Sequence, residues 1–329
     1  LGVCTVLTAL SNPFKFDQMS VPSHSIVDSG TDLLWTQLQD EVRRLKWTSD
    51  DNLMLSLVPS LTSTRCVFAR KDEDGSFFGC VVWNEYDEMA FIGMYICVPE
   101  LRGSGIGSRM WKRAMERIRA TGKVIGLRGA PAMAPKYAAN DTPLEISRLR
   151  LNILTCDEMR ATCLRINMVA SGSIKMKSTL TPAQIEELLA FDLQMTGRDR
   201  KDLLVPFLAS PLFECAVLLN EDGKIVAWGG ITSTGFEKEH LFKLGPVYAS
   251  SLSQFATLTE ALIPFCEKKS SESKIVVHIV NGTVGERELE PLLKNPQNIE
   301  WVTLFNDKIN WTRRESCYVP HNCSSHFDG

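Results

Sequence analysis

The stretch that most constrains the chain runs from Tyr95 to Leu127, YICVPELRGSGIGSRMWKRAMERIRATGKVIGL. An apolar run leads into a glycine-rich turn opened by an arginine, then an amphipathic helix, then a second apolar run, with no gap between them. Over residues 108–120, Met110, Trp111, Ala114, Met115 and Ile118 recur at the helical period, so one side of that helix belongs to a core. A turn that delivers a strand to the start of a helix gathers backbone N–H groups at the helix's positive end. Glycine lets those groups turn toward an anion with no Cβ in the way. The stretch therefore reads as a cradle for a phosphate.

Three glycine-rich chemistries compete for it. A Walker A loop needs a Lys and a Ser or Thr after its last glycine, whereas Ser108 and Arg109 follow Gly107. A dinucleotide fingerprint needs a Gly or Ala where Ser108 stands, and an acidic residue closing the next strand, which KVIGLRGAP lacks. The third pattern, Arg/Gln-x-x-Gly-x-Gly/Ala between a strand and a helix, is met by Arg102-Gly103-Ser104-Gly105-Ile106-Gly107. In that context the sequence resembles the GNAT superfamily of acyl-CoA-dependent N-acyltransferases; the plainer alternative is a tight strand-to-helix turn.

The resemblance implies specific roles. The amides of Gly103, Ser104, Gly105, Ile106, Gly107 and Ser108 match those that bind the pyrophosphate of coenzyme A, while Arg102 either adds charge there or is a solvated surface arginine. The preceding strand splays from its parallel neighbour and pairs with the pantetheine arm. Ile96, Cys97 and Val98 match that contact. Transfer to an amine needs a neutral nucleophile, stabilisation of an oxyanion and a proton for the departing thiolate. Tyr137 stands where the family carries the acid, although Tyr137-Ala-Ala-Asn-Asp lacks the Gly-Phe of many relatives. Glu85 and Glu88, with Asp87, precede the loop strand as candidate bases or as hairpin-loop charges. Cys97 falls near the expected thioester, where a buried strand thiol competes with a nucleophile. The implied co-substrate is acetyl-CoA, with no metal.

A chain of 329 residues suits two domains of roughly 150 residues each. The order of elements recurs in the second half. A helix over 181–194 is announced by Thr181, Pro182 and Gln184, which spell a capping box. A second helix near 198–209, a hairpin over 214–234, a segment at 241–249, helices at 253–269 and 285–294 and strands at 274–280 and 301–305 follow; in the first half an extended start near 14–21 and a short helix over 49–61 precede the β-rich runs. The expected class is α+β: two tandem GNAT-like domains, each a twisted, mostly antiparallel sheet flanked by helices, with a splayed parallel pair in the first. The expected boundary lies near Gly172, separating a catalytic domain at 1–172 from a degenerate companion at 173–329. In the companion, the segment corresponding to the phosphate loop holds Gly245, Pro246 and Ala249, and Pro246 removes an amide that a phosphate would use. Asp192, Arg198 and Arg200 are weak candidates for acceptor recognition there, with a structural role as the alternative.

A net charge of -3, with 44% hydrophobic and 23% charged residues, leaves no broad electrostatic footprint for nucleic acid or an anionic membrane. The 10 cysteines are scattered singly, several in apolar runs, which suggests reduced thiols and a cytoplasmic protein. The apolar opening LGVCTVLTAL lacks the basic residues of a signal peptide, and no apolar run reaches the ~18 residues of a membrane span. Cys317, His321, Cys323 and His326 lie close together, but their spacing matches no familiar zinc site. No Ser/His/Asp or paired-carboxylate spacing points to a hydrolase. The expected function is acetyl-CoA-dependent N-acetylation of a primary amine on a small-molecule acceptor, less readily on a protein; the rival is a non-enzymatic coenzyme A-binding or scaffold protein. Oligomeric state is not legible.

Overall fold

The computed structural model describes residues 21–45, 57–166, 170–236, 238, 240–293, 300–309 and 313–321. In the first half these form β1 (His24–Val27), α1 (Asp32–Arg44), β2 (Thr64–Lys71), β3 (Phe77–Glu85), β4 (Met89–Cys97), α2 (Ile106–Arg119), β5 (Val124–Gly129), α3 (Ala134–Asn140), β6 (Leu144–Thr155) and α4 (Cys156–Ile166). The second half follows with β7 (Ser173–Met176), α5 (Pro182–Thr196), α6 (Lys201–Ala209), β8 (Phe213–Leu219), β9 (Ile225–Ser233), β10 (Leu241–Tyr248), α7 (Leu252–Glu267), β11 (Lys274–Val280), β12 (Glu300–Phe305) and β13 (Cys317–Val319).

Local chemistry sets these elements. Thr31 caps α1 by accepting the amide of Leu34, and Leu34, Leu38 and Val42 on the helix's inner face are buried. Met110, Ala114, Met115 and Ile118 of α2 are buried likewise, as the periodicity requires. At α5 the capping box closes in both directions: the Gln184 amide donates to the Thr181 hydroxyl at 3.3 Å, and the Thr181 amide donates to the Gln184 side chain at 3.1 Å. The expected helix at 285–294 is instead a five-residue π turn at Gly285–Leu289 followed by a 3-10 turn at Glu290–Leu292, where Pro291 cannot donate to a helical ladder. Strand β6 and helix α4 carry no sequence expectation. The helix expected over 49–61 lies mostly outside the described residues, with only a 3-10 turn at Val58–Ser60 in view, as does the extended start near 14–21.

Among the described residues one mixed sheet of 13 strands runs in the order β1-β2-β3-β4-β5-β12-β6-β11-β10-β9-β8-β7, with β13 attached to β10. The expected class is met, with two halves repeating one plan. Helices α2 and α3 cover one face of the first half and α1 the other. In the second half α4 and α7 share a face opposite α5 and α6.

The halves exchange strands. β12 lies between β5 and β6 and runs antiparallel to both, with Thr303 opposite Arg128 on one side and Ser147 on the other. β6 pairs with β11 from Thr155 opposite Lys274 to Leu149 opposite Val280. Each half thus receives a strand from the other, and edges that would stand open are paired.

Candidate active site

The site begins with one extra residue. Val82 of β3 faces Met94 of β4 and Trp83 faces Ile92, so Gly93 has no partner. Such a bulge bends its strand and increases the local twist. β4 and β5 accordingly stay paired only from Met89 opposite Val124 to Ile92 opposite Leu127. Beyond that point Arg128 and Gly129 keep only their pairing with Thr303 and Val302 of β12, and the rest of β4 is held by β3 alone. A wedge opens between two parallel strands.

The phosphate-type loop stands at its mouth. Gly103 and Gly105 have φ of +82° and +86°, in the left-handed region that glycine enters without strain. Among the described residues no protein acceptor takes the amides of Gly103, Gly105 or Ser108. The Ile106 amide reaches only the Ser104 hydroxyl, at a long 3.4 Å, and that of Gly107 faces the Cys97 thiol. Three unengaged donors at the start of a 14-residue helix fit a diphosphate group. Arg102 is exposed beside them, its Nε donating to the Cys97 carbonyl at 3.2 Å.

Ile96, Cys97 and Val98 end the unpaired stretch of β4. The Ile96 side chain is buried with Met94 on the α1 face, whereas Cys97 packs toward α2. Burial pushes the Cys97 thiol up more than nearby Arg102 lowers it, so the sulfur keeps its proton.

Helices α2 and α3 meet through an aromatic stack. Trp111 lies 5.4 Å from Tyr137 at 30° and 5.1 Å from Tyr95 at 43°. Its indole N–H donates to Asp141 at 2.8 Å, and Arg119 donates to the other oxygen of that carboxylate at 2.5 Å. A groove of about 410 Å³ opens here, lined by Tyr95, Ser108, Trp111, Lys112, Lys136 and Tyr137 among others. The Tyr137 ring sits over the end of β5, where a side chain on Gly129 would come within 2.9 Å of it. Burial, with a smaller contribution from Tyr95, raises the Tyr137 phenol well above its ordinary value. It holds its proton at neutral pH.

The structure thus brings together the loop, Ile96 to Val98 and Tyr137. Glu85 and Glu88 stand elsewhere, at the paired end of β4: Glu85 of β3 lies opposite Ala90, and Glu88 just precedes Met89, which is about 13 Å along the strand from Gly93 at about 3.3 Å per residue. Both line a separate cleft of about 640 Å³ between the halves. Glu85 accepts from the Trp83 indole at 3.1 Å and lies 3.6 Å from Arg65, and Glu88 meets Arg198 of the second half at 2.8 Å. Asp192 and Arg200 are 1% and 0% exposed and bind each other at 3.0 and 2.5 Å. Cys317 and His321 are buried, Cys323 and His326 lie outside the described residues, and among the described residues no group of three or more His, Cys, Asp or Glu gathers as a metal site would require. Sequence reasoning missed the Gly93 bulge and the Asp141 anchor; Trp111 was legible only as part of an apolar stripe.

A bulge-opened parallel pair, a glycine loop at a helix start and a half-buried tyrosine opposite define a GNAT-type acyl-transfer fold. The comparisons agree with that class. The model of the acetyltransferase (GNAT) family matches residues 31–130. An uncharacterized protein of Caenorhabditis elegans, F36G3.2, is 31% identical over 301 residues, covering 90% of this chain and 94% of the relative. Holothin acyltransferase of Pseudoalteromonas sp. (strain SANK 73390) is 27% identical over 195 residues, 56% of this chain and 59% of that protein. Among solved structures, a tandem GNAT protein from the clavulanic acid biosynthesis pathway superposes with a TM-score of 0.62 at 13% identity, over 88% of this chain and 100% of that one. The chain belongs to the GNAT family, whose members are acyltransferases that draw on acyl-CoA. No described helix is long and apolar enough to cross a membrane.

Proposed function

We propose that this chain is an acetyl-CoA-dependent N-acetyltransferase acting on a primary amine of a small molecule, that residues 1–172 supply its catalytic site, and that it works in the cytoplasm. The observation that carries the reading is the wedge itself: free loop amides at its mouth and a protonated phenol at the end of β5. A relative named for acyl transfer to holothin supports a small-molecule acceptor.

The bound thioester would supply an activated acyl group. Gly103, Gly105 and Ser108 hold the diphosphate through main-chain donors, with Arg102 adding charge from the surface. The unpaired stretch of β4 aligns the pantetheine arm as an added strand, and one of its amides donates to the carbonyl oxygen as negative charge develops there. The amine nitrogen forms the C–N bond as the C–S bond breaks. Tyr137 gives its proton to the departing sulfur and recovers one from solvent. Glu85 at the end of β3 and Glu88 just before β4 stand at the far end of the strand pair and line a different cleft, so any part they take in removing the amine proton runs through water.

That distance also favours a second reading, a coenzyme A-binding protein without turnover. Calorimetry with acetyl-CoA and with NAD tests the first reading: absence of acetyl-CoA binding refutes it. Thiol release across an amine library separates the two, because turnover that Tyr137→Phe suppresses is incompatible with a pure binder.

A further inference from the structure

The two halves treat the same position differently. In the second half the parallel pair β10 and β11 is joined over Leu241–Leu244 and Lys274–Val277, then parts at Gly245, as β4 and β5 part in the first. Here the gap is filled. Strand β13 lies antiparallel to the freed end of β10, with Val319 opposite Val247 and Cys317 opposite Tyr248, and the Ala249 amide donates to the Ser316 carbonyl at 2.9 Å.

The slot is shaped to this occupant on both walls. A Cβ on Gly285 would lie 2.1 Å from the Tyr318 carbonyl oxygen, and one on Gly245 would lie 2.4 Å from that of Pro320, so only glycine lets the added strand's main chain in. The Tyr318 ring is 1% exposed and stacks on Phe255 in the first turn of α7 at 5.4 Å and 30°. Its hydroxyl donates to Glu288 at 2.5 Å. Main-chain pairing plus one anchored aromatic side chain is the recognition mode of a peptide added to a sheet edge.

We infer that the second half keeps the acyl-carrier slot of the fold as a peptide-binding slot whose ligand is the chain's own segment 316–320. That half therefore takes no coenzyme, and each chain binds one acyl-CoA. The likening of the two slots rests on reading the first wedge as the coenzyme site; the strand pairing stands without it.

Two measurements on the full chain test this. Calorimetric titration with acetyl-CoA is expected to give one equivalent, abolished by Gly105→Trp; a second equivalent that survives Gly105→Trp overturns the inference. Zero equivalents would count against the proposed function and leave the second measurement to decide. Hydrogen exchange at residues 316–319 is expected to be at least 100-fold slower than in an unstructured peptide, unchanged within twofold by saturating acetyl-CoA, and at least 10-fold faster in Tyr318→Ala. Unprotected amides, protection lost on adding acetyl-CoA, or no response to Tyr318→Ala would each sink it.

Discussion

Trp111 of α2 stacks on Tyr137 of α3 at 5.4 Å and 30°, and its indole N–H is tied to Asp141 just past the end of α3. The stack fixes a short helix of seven residues against a long one, and so fixes where the Tyr137 hydroxyl stands. Replacing Tyr137 by Phe keeps the stack and removes the proton. The expected outcome is a fall in kcat of about 100-fold or more, the usual size of a general-acid contribution, with acetyl-CoA affinity unchanged within twofold. Thiol-release kinetics beside calorimetry check it.

Gly105 begins α2 with a φ of +86° and offers its amide to the mouth of the wedge. Gly105→Ala places a Cβ in a conformation that costs an L-residue about 1–2 kcal/mol. Affinity for acetyl-CoA should drop at least tenfold while Tm changes by a few degrees, as titration and thermal melting would show.

Asp192 and Arg200 form a fully buried ion pair in the second half. Removing one partner strands the other charge. Asp192→Ala should cost about 3–5 kcal/mol in denaturant unfolding, whereas an exposed pair such as Lys201–Glu186 should cost about 1 kcal/mol or less.

His278 on β11 is buried, and burial first, then the charges of Lys243 and Arg128, hold its imidazole well below the ordinary 6.5. The folded protein keeps this ring neutral, while the unfolded chain takes up a proton below that value. Stability is therefore full above pH 6.5 and declines as pH falls toward the folded value. His278→Gln should flatten the fall in Tm between about pH 7 and 5. An unchanged slope would show that other groups govern acid sensitivity.

Strand exchange makes a statement about folding. Residues 1–172 and 173–329 expressed separately should each be unstable, and mixing or co-expressing them should restore a cooperative melt and acetyl-CoA binding. A stable, binding-competent 1–172 fragment would contradict this.

Much of the candidate site's backbone was legible because its geometry is local. The run Arg102 to Gly107 sits on one turn, and the turn's backbone geometry follows from its glycines. Most of the order of elements in both halves was legible for the same reason, since those elements announce themselves locally by period, cap or turn. What escaped the sequence is non-local. The Gly93 bulge exists only relative to β3, and a lone glycine in an apolar run does not report its register. Strand β6 alternates Leu with Arg148 and Arg150, and the arginines are accommodated only because Arg150 reaches Glu286 and Glu290 at 2.6 and 2.7 Å from the far half. Glu85 and Glu88 are near the loop strand in sequence, but an extended strand carries its two ends far apart. The filling of the second slot by β13 joins segments more than 60 residues apart and leaves no local signal.

The interleaving of β12 and β6 bears on inheritance as well as on folding. A gene cut between the codons of Thr155 and Ser173 would leave the first product without its neighbour for β5 and the second without its neighbour for β11. On the proposed division of labour, a second half without chemistry of its own would ordinarily be free to be lost. Here its deletion would also strip the wedge between β4 and β5 of β12, the strand that holds its far wall, so the first half cannot keep its architecture without the second.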